Sequence, residues 1–388
     1  MTSLPPFLMT SEEGSFAQKT IKERKPQIIN TILSQFDFTP EIRATLNQFI
    51  QELDHKSICA LEENTSDRAF WDQDIEPWLG KTWFELPWYF AETFFYRRLL
   101  EITTYFQPGP FMGIDPFGVS KEQELLTALP VFEEIYTNKP QMEQLDAFTY
   151  YCYRALWSNR ADLSNLGVAE TSMGDQAHHI ILNHTVDAYQ FLKEQNGNIA
   201  YFLDNAGKEL LFDLALMDHL LSSGLVTSIT CYLKNQPFFV SDAMPWDLFM
   251  AIKRLSASNY EQTRVFANRI IKWLHRGAIT VQTPQFLTSS RMYRQMPKVL
   301  YTQLQSYDLV ILKGDVNYRR LFGDRHWEPT TPIELAAGYF PTNYLSLRTL
   351  KAEIVLGLDP LTLEYLQRNA EPDWRINGKR GMITFGRK

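Results

Sequence analysis

Two rhythms of apolar residues divide the chain. Through the first 165 or so positions they recur at helical spacing. In "FTPEIRATLNQFIQEL", Ile42, Leu46, Phe49 and Ile50 share one face behind a Thr-Pro-Glu entry, which predicts an amphipathic helix with its start signal. "WYFAETFFYRRLLEITTYF" and "QMEQLDAFTYYCYRALW" keep the same period, and turn-rich segments such as "FQPGPFMGIDPFG" separate the helices. After about residue 175 the rhythm changes. Short apolar runs ("HHIILN", "NIAYFLD", "VTSITCYLK", "YDLVILKGD") alternate with amphipathic helices, with a "PFFVSD" segment among them and a final extended "LRTLKAEIVLG". Strands apolar on both faces, separated by helices, predict a parallel sheet covered by helices. The expected fold class is α/β. A mainly helical region over 1–165 packs on a doubly wound, mostly parallel sheet domain over 166–388.

Composition narrows the function classes. Hydrophobic residues at 45% and charged residues at 21% over 388 positions fit a globular chain with a sizeable core. A net charge of −7 argues against a nucleic-acid surface, which needs a basic stripe. No apolar run approaches the length of a membrane span, and "MTSLPPFLMTSEEGSF" lacks the charged-then-apolar layout of a secretory signal. Cys59, Cys152 and Cys231 are isolated and form no metal or disulfide pattern, so small buried side chains in a reducing cytoplasm are expected. Oligomeric state is left open.

In an open parallel sheet, ligands bind beyond the carboxyl ends of the strands. Three segments carry polar residues there: "IAYFLDNAG" brings Asp204 and Asn205, "PFFVSDAMPW" brings Ser241 and Asp242, and "LVILKGDVNYRR" brings Lys313, Gly314, Asp315, Asn317, Tyr318 and Arg319. Two aspartates and an amide carbonyl are hard oxygen donors of the kind Mg²⁺ and Mn²⁺ prefer. The competing reading is helix capping by Asp204, Asn205 and Asp242. Lys313, Arg319, Arg320, Arg348 and Lys351 offer cations for phosphate, with Arg320 read as surface. His178, His179 and His184 match no zinc spacing and read as strand-end histidines. No nucleophile elbow, P-loop or dinucleotide fingerprint follows a predicted strand. The Asp-Asn-Ala at 204–206 also lacks the second aspartate of a phosphatase Asp-x-Asp loop.

At these residues the sequence resembles the metal-dependent damage-control phosphatases of the domain of unknown function eighty-nine family, in its acidic-residue methyltransferase-like subgroup. The matching stretches are "GSFAQKTIKERKPQII", "PWYFAETFFYRR", "LWSNRADLS", "FLDNAGKELLFDLALMDHLL", "PFFVSDAM", "LVILKGDVNYRRLFGDRHW" and "LRTLKAEIVLGL", in the family's order. The subgroup's Arg-Thr-x-Lys signature stands here as Arg348 to Lys351. The resemblance implies a divalent metal held by Asp204, Asn205 and Asp242, with Mn²⁺ or Mg²⁺ foremost and Co²⁺ or Ni²⁺ also supporting turnover. It implies substrate contacts from Glu209, from Asp315, Asn317, Tyr318 and Arg319, and from Lys351, with Arg348 beside it. Asn159, Arg160, Asp162 and Ser164 match a further motif expected to line the cleft.

The implied activity is hydrolysis of small phosphorylated metabolites, sugar phosphates such as fructose 1-phosphate and fructose 6-phosphate among them. In that scheme Lys351 and Arg319 hold phosphoryl oxygens, and Asp315 or Glu209 orients the sugar hydroxyls or the attacking water. The catalytic set is then Asp204, Asp242 and Asp315, with direct water attack and a phospho-aspartate both open. The rival is S-adenosylmethionine-dependent methylation of protein carboxylates, for which no Gly-rich adenosine turn is found. A third reading is a module that binds metal or sugar phosphate without turnover.

Overall fold

The computed structural model describes residues 4–158 and 177–388. Asn159, Arg160, Asp162 and Ser164 lie outside the described residues. Among the described residues seven strands build one sheet: β1 (Ile180–Asn183), β2 (Asn198–Phe202), β3 (Ser228–Tyr232), β4 (Ile279–Gln282), β5 (Leu309–Lys313), β6 (Asn343–Thr349) and β7 (Gly381–Gly386). Their order is β1-β7-β6-β5-β2-β3-β4, and every neighbouring pair is parallel except β6 with β7. The α/β class and the mostly parallel, doubly wound sheet are as the apolar pattern predicts. From β2 the chain moves outward through β3 and β4, then returns to place β5 on the other side of β2. That reversal opens a crevice at the carboxyl ends of β2 and β5.

Alternate side chains of one strand serve two cores. Ile199 and Tyr201 of β2 join a cluster with the helices Gly118–Thr137, Gln144–Trp157 and Gly207–Ser222. Ala200 and Phe202 point to the opposite face, against Tyr318, Leu321 and Phe322 of the Gly314–Phe322 helix. A third cluster gathers residues 21–117, rich in stacked rings such as Phe49 on Phe95. Two helices that precede residue 165 thus bury into the sheet's own core. Among the described residues no helix is long and apolar enough to cross a membrane.

Several local expectations need correction. "PFFVSD" is not a strand but part of the irregular connection after β3, because Phe239 and Val240 pack on the helical cluster rather than extending the sheet. The sequence pattern also misses β4, which has four residues, and β7, which begins and ends on glycine. His179 and His184 directly flank β1 as strand-end histidines, with His178 one residue further out, and His184 accepts the Phe385 backbone N–H at Nδ1 (3.2 Å). Cys152 and Cys231 are buried, but Cys59 is exposed.

Arg320 is not a surface residue. It is 1% exposed, and its guanidinium donates to the carbonyls of Phe286 (2.8 Å), Leu287 (2.9 Å) and Ser289 (2.7 Å) and to the Tyr89 hydroxyl. One planar fork therefore ties the sheet domain to the Trp88–Ile102 helix of the N-terminal region. Arg320→Met would strand three buried carbonyls. It is expected to lower unfolding free energy by about 3 kcal/mol, read as a lower urea midpoint; an unchanged midpoint would contradict the clamp.

Candidate active site at the strand ends

The chain leaving β2 and the chain leaving β3 are stitched together. The Ala206 N–H donates to the Ser241 carbonyl (2.7 Å) and the Ala243 N–H to the Asp204 carbonyl (2.8 Å), forming an isolated antiparallel bridge between Asn205 and Asp242. This pairing sets Asp204, Asn205, Ser241 and Asp242 on one cavity of about 210 Å³. None of the three predicted ligands caps a helix. The Gly207–Ser222 helix starts at Ala206 without a side-chain cap, and the Pro245–Ser256 helix is capped by Asp247, which accepts the Met244 N–H (2.9 Å). The capping reading is thereby removed.

Charge separates Asp204 from its surroundings. The buried carboxylates of the described residues are Glu63, Asp67, Glu92, Asp204, Glu209, Asp213, Asp218, Asp242 and Asp324. Every one except Asp204 has a Lys or Arg ion-pair partner. Asp204 is 5% exposed; its Oδ2 accepts from the Asn205 amide (2.9 Å) and its Oδ1 has no partner. Burial first, then the charges of Glu209 and Asp242, push the Asp204 carboxyl well above the usual range. Burial also raises Asp242, an effect partly offset by Lys234 at 2.8 Å. A buried, crowded carboxylate with an unsatisfied oxygen is stable only with a proton or a cation beside it.

The donors fit a hard divalent ion. Among the described residues no group of three or more His, Cys, Asp or Glu side chains is arranged to hold a metal. The Asn205 amide oxygen, which here accepts from the Ser241 hydroxyl (2.5 Å), is a further oxygen donor beside the two carboxylates. Two carboxylates and an amide leave positions open for water and phosphate oxygens, as Mg²⁺ and Mn²⁺ sites commonly do.

Glu209 and Asp213, one helical turn apart, are explained by Lys313. Its ammonium lies 3.0 Å from Glu209 and 3.1 Å from Asp213 and donates to the Ala155 carbonyl (2.7 Å). For Glu209 burial acts upward, yet Lys313, the Asn205 amide and Lys351 outweigh it and hold the carboxyl below its ordinary value. Burial pushes Asp213 up to about 7 despite Lys313.

The remaining predicted residues divide into those that line the cavity and those that hold them. Asp204, Asn205, Glu209, Asp242, Asp315 and Lys351 line it; Asn317, Tyr318, Arg319 and Arg348 do not. Asp315 pairs with Arg319 Nε (2.7 Å) and Arg348 Nε (2.6 Å). Burial works against its ionised form, but these two guanidinium groups keep its pKa below the usual carboxylate value. Arg319 is also bound to Asp324 through Nη1 and lies 3.7 Å over the Trp88 ring, while its Nη2 is buried without a hydrogen-bond partner. Arg348 donates to the carbonyls of Ile354 (2.6 Å) and Ala352 (3.3 Å), fastening the segment that presents Lys351. Asn317 bonds the Lys313 carbonyl (2.8 Å) and Tyr293 (2.9 Å), and Tyr318 accepts the Leu356 N–H (3.2 Å).

Reading strand ends alone missed the cavity's other wall. Phe16, Arg24, Trp88 and Glu92 come from the N-terminal region, and Phe239 from the β3 connection. Only the resemblance of "KTIKERKPQII" and "PWYFAETFFYRR" pointed toward these segments.

Fold and cavity together define a doubly wound α/β protein with an acidic, oxygen-lined pocket at its strand-order reversal. A family profile described as damage-control phosphatase ARMT1-like domain matches residues 20–363, and the chain belongs to that family. It is 30% identical over 438 residues to the Mus musculus protein named damage-control phosphatase ARMT1, with 99% of each chain covered. It is 31% identical over 440 residues to the Homo sapiens protein of the same name, again with 99% of each covered. The crystal structure of a DUF89 family protein from Pyrococcus horikoshii matches with a TM-score of 0.51 over 95% of this chain and 96% of that one. Their 13% identity speaks for the fold alone.

Gly314 opens the Gly314–Phe322 helix with φ +80°, and a Cβ there would fall 1.8 Å from Asp204 Oδ2. Gly314→Ala is expected to cost about 1–3 kcal/mol in strain, read as a lower urea midpoint; an unchanged midpoint would show that Asp204 and Gly314 do not pack this closely.

Proposed function

We propose that this chain is a divalent-metal-dependent phosphatase of small phosphorylated metabolites, with fructose 1-phosphate and fructose 6-phosphate as candidate substrates. The carrying observation is Asp204, the one buried carboxylate among the described residues without an ion-pair partner, set beside Asp242 on a small cavity. Membership in a damage-control phosphatase family supports the same reading. Asp204, Asn205 and Asp242 would hold Mn²⁺ or Mg²⁺, with Co²⁺ or Ni²⁺ as substitutes. When bound there, the ion supplies charge neutralisation at the phosphoryl group and lowers the pKa of water.

The chain's own residues account for the rest of the chemistry. Lys351 lines the cavity and makes no ion pair with any described residue, so its ammonium is available for phosphoryl oxygens. Arg24, exposed at the rim, adds a second positive charge. Asp315, kept ionised by Arg319 and Arg348, orients a hydroxyl of substrate or water by accepting a hydrogen bond from it. Glu209 holds the Asn205 amide (2.9 Å) and so fixes that ligand's orientation. Arg319 serves through Asp315 rather than by touching phosphate. The cavity, at about 210 Å³, lies below the common span for drug-sized ligands and suits a compact ester better than a nucleoside-bearing cofactor.

Phosphate release from a panel of phosphorylated metabolites, with each divalent ion and with EDTA, tests the proposal. Turnover should vanish in EDTA and return with Mn²⁺. Asp204→Ala should abolish it while the thermal midpoint stays level or rises, since an unpaired buried carboxylate is removed. Turnover indifferent to chelation, or intact in Asp204→Ala, would overturn the assignment.

A further inference from the structure

Glu92 lies on the Trp88–Ile102 helix, far in sequence from the strand ends, yet it lines the same cavity as Asp204. It is 2% exposed. Its Oε2 is paired with Lys25, whereas its Oε1 is buried with no hydrogen-bond partner. Lys25 is fully buried as well, with its ammonium 4.6 Å over the Phe95 ring and 4.4 Å over the Tyr96 ring. A surface ion pair would need no such enclosure. This one fixes the carboxylate's position at the cavity wall and leaves its Oε1 buried without a partner.

The approach to Lys25 is itself irregular. Residues Thr20–Arg24 form a π-helical turn closed by the Lys25 N–H on the Thr20 carbonyl. Such single-turn insertions occur often at functional sites. Here consecutive basic residues part company: Lys25 is buried against Glu92, and Arg24 lines the cavity. Trp88, one turn before Glu92, and Phe16 add ring surface to the same wall.

We infer that Glu92 Oε1 accepts a hydrogen bond from a hydroxyl of the substrate, so that the N-terminal helical region forms the polyol-recognition wall of the active site. This rests on the phosphate-ester reading of the cavity. A carboxylate repels phosphoryl oxygens, so the Glu92 wall meets the hydroxyl-bearing end while Lys351 meets the phosphoryl end. An unpartnered buried oxygen gains most from a ligand that donates to it, and a ligand without a hydroxyl leaves that oxygen unsatisfied. Phe16, half-buried on the same wall, offers ring surface for the carbon face of a sugar. Glu92 is thus a specificity-determining residue that selects hydroxylated esters over plain ones.

The test compares fructose 6-phosphate with phenyl phosphate, an ester that has no hydroxyl to donate, in Mn²⁺. Both turnover and calorimetric binding are read. In Glu92→Gln the ratio of kcat/KM for the sugar ester to that for phenyl phosphate should fall about 10- to 100-fold. Because that variant leaves Lys25 facing a neutral partner, the paired change of Lys25→Met with Glu92→Met removes both charges together and should show the same loss of preference. An unchanged ratio, an equal loss for both esters, or loss of Mn²⁺ binding would overturn the inference. If the wild type hydrolyses neither ester, the phosphatase reading fails and binding alone decides Glu92. Preference for the sugar phosphate that Glu92→Gln abolishes would uphold its role; equal or absent binding of the two esters would end it.

Discussion

The site depends on one close approach, that of the Asp204 carboxylate to the backbone of Gly314. β2 and β5 are hydrogen-bonded neighbours, so the residues that follow them must diverge in the space of two or three positions. Asp204 and Asn205 turn toward the β3 connection, and the chain after β5 enters a helix at once. Only a residue without a side chain lets that helix begin against Asp204. The contact seats the carboxylate from below, while the Asn205–Asp242 bridge fixes it from the side. The position of this carboxylate is therefore set by main chain, which is stiffer than a side-chain arrangement.

Around this point the protein spends cations with care. Lys313 is shared between Glu209 and Asp213, Lys234 faces Asp242, and Arg319 and Arg348 converge on Asp315. Each pair offsets the charge of a carboxylate at the cavity. The same economy explains the Arg-Thr-x-Lys stretch in physical terms. Arg348 is 0% exposed and bonds two carbonyls just beyond Lys351, so the arginine is the anchor and the lysine the group presented to the pocket.

Much of this was legible in the sequence because a parallel sheet buried on both faces leaves a strong apolar signal, and because its ligands gather at strand ends. Asp204, Asn205, Asp242, Glu209, Asp315 and Lys351 were all found that way or through the family resemblance, and all line one cavity. What was not legible follows from the same reasoning. Arg320 looked like a surface residue since its partners are backbone carbonyls about thirty positions away, which no local pattern marks. Arg319, Asn317 and Tyr318 carry the right chemistry, but helical geometry turns them inward as supports. "PFFVSD" mimicked a strand because its apolar residues pack on aromatic rings of the helical region, as with Phe239 on Tyr96 at 5.1 Å.

That last contact bears on why the helical region is present. The connection carrying Asp242 is too irregular to be fixed by sheet hydrogen bonds, so it takes its position from two sources: the bridge to Asn205 and the ring cluster beneath Phe239 and Val240. A ligand donated by a loop is only as well placed as the surface the loop rests on. The N-terminal helices supply that surface, and Arg320 clamps them to the sheet domain through Tyr89. The helical region and the sheet therefore act as one frame. Separated from its helices, the sheet would keep Asp204 and Gly314 in contact but would lose both the support under Asp242 and the wall formed by Trp88 and Glu92.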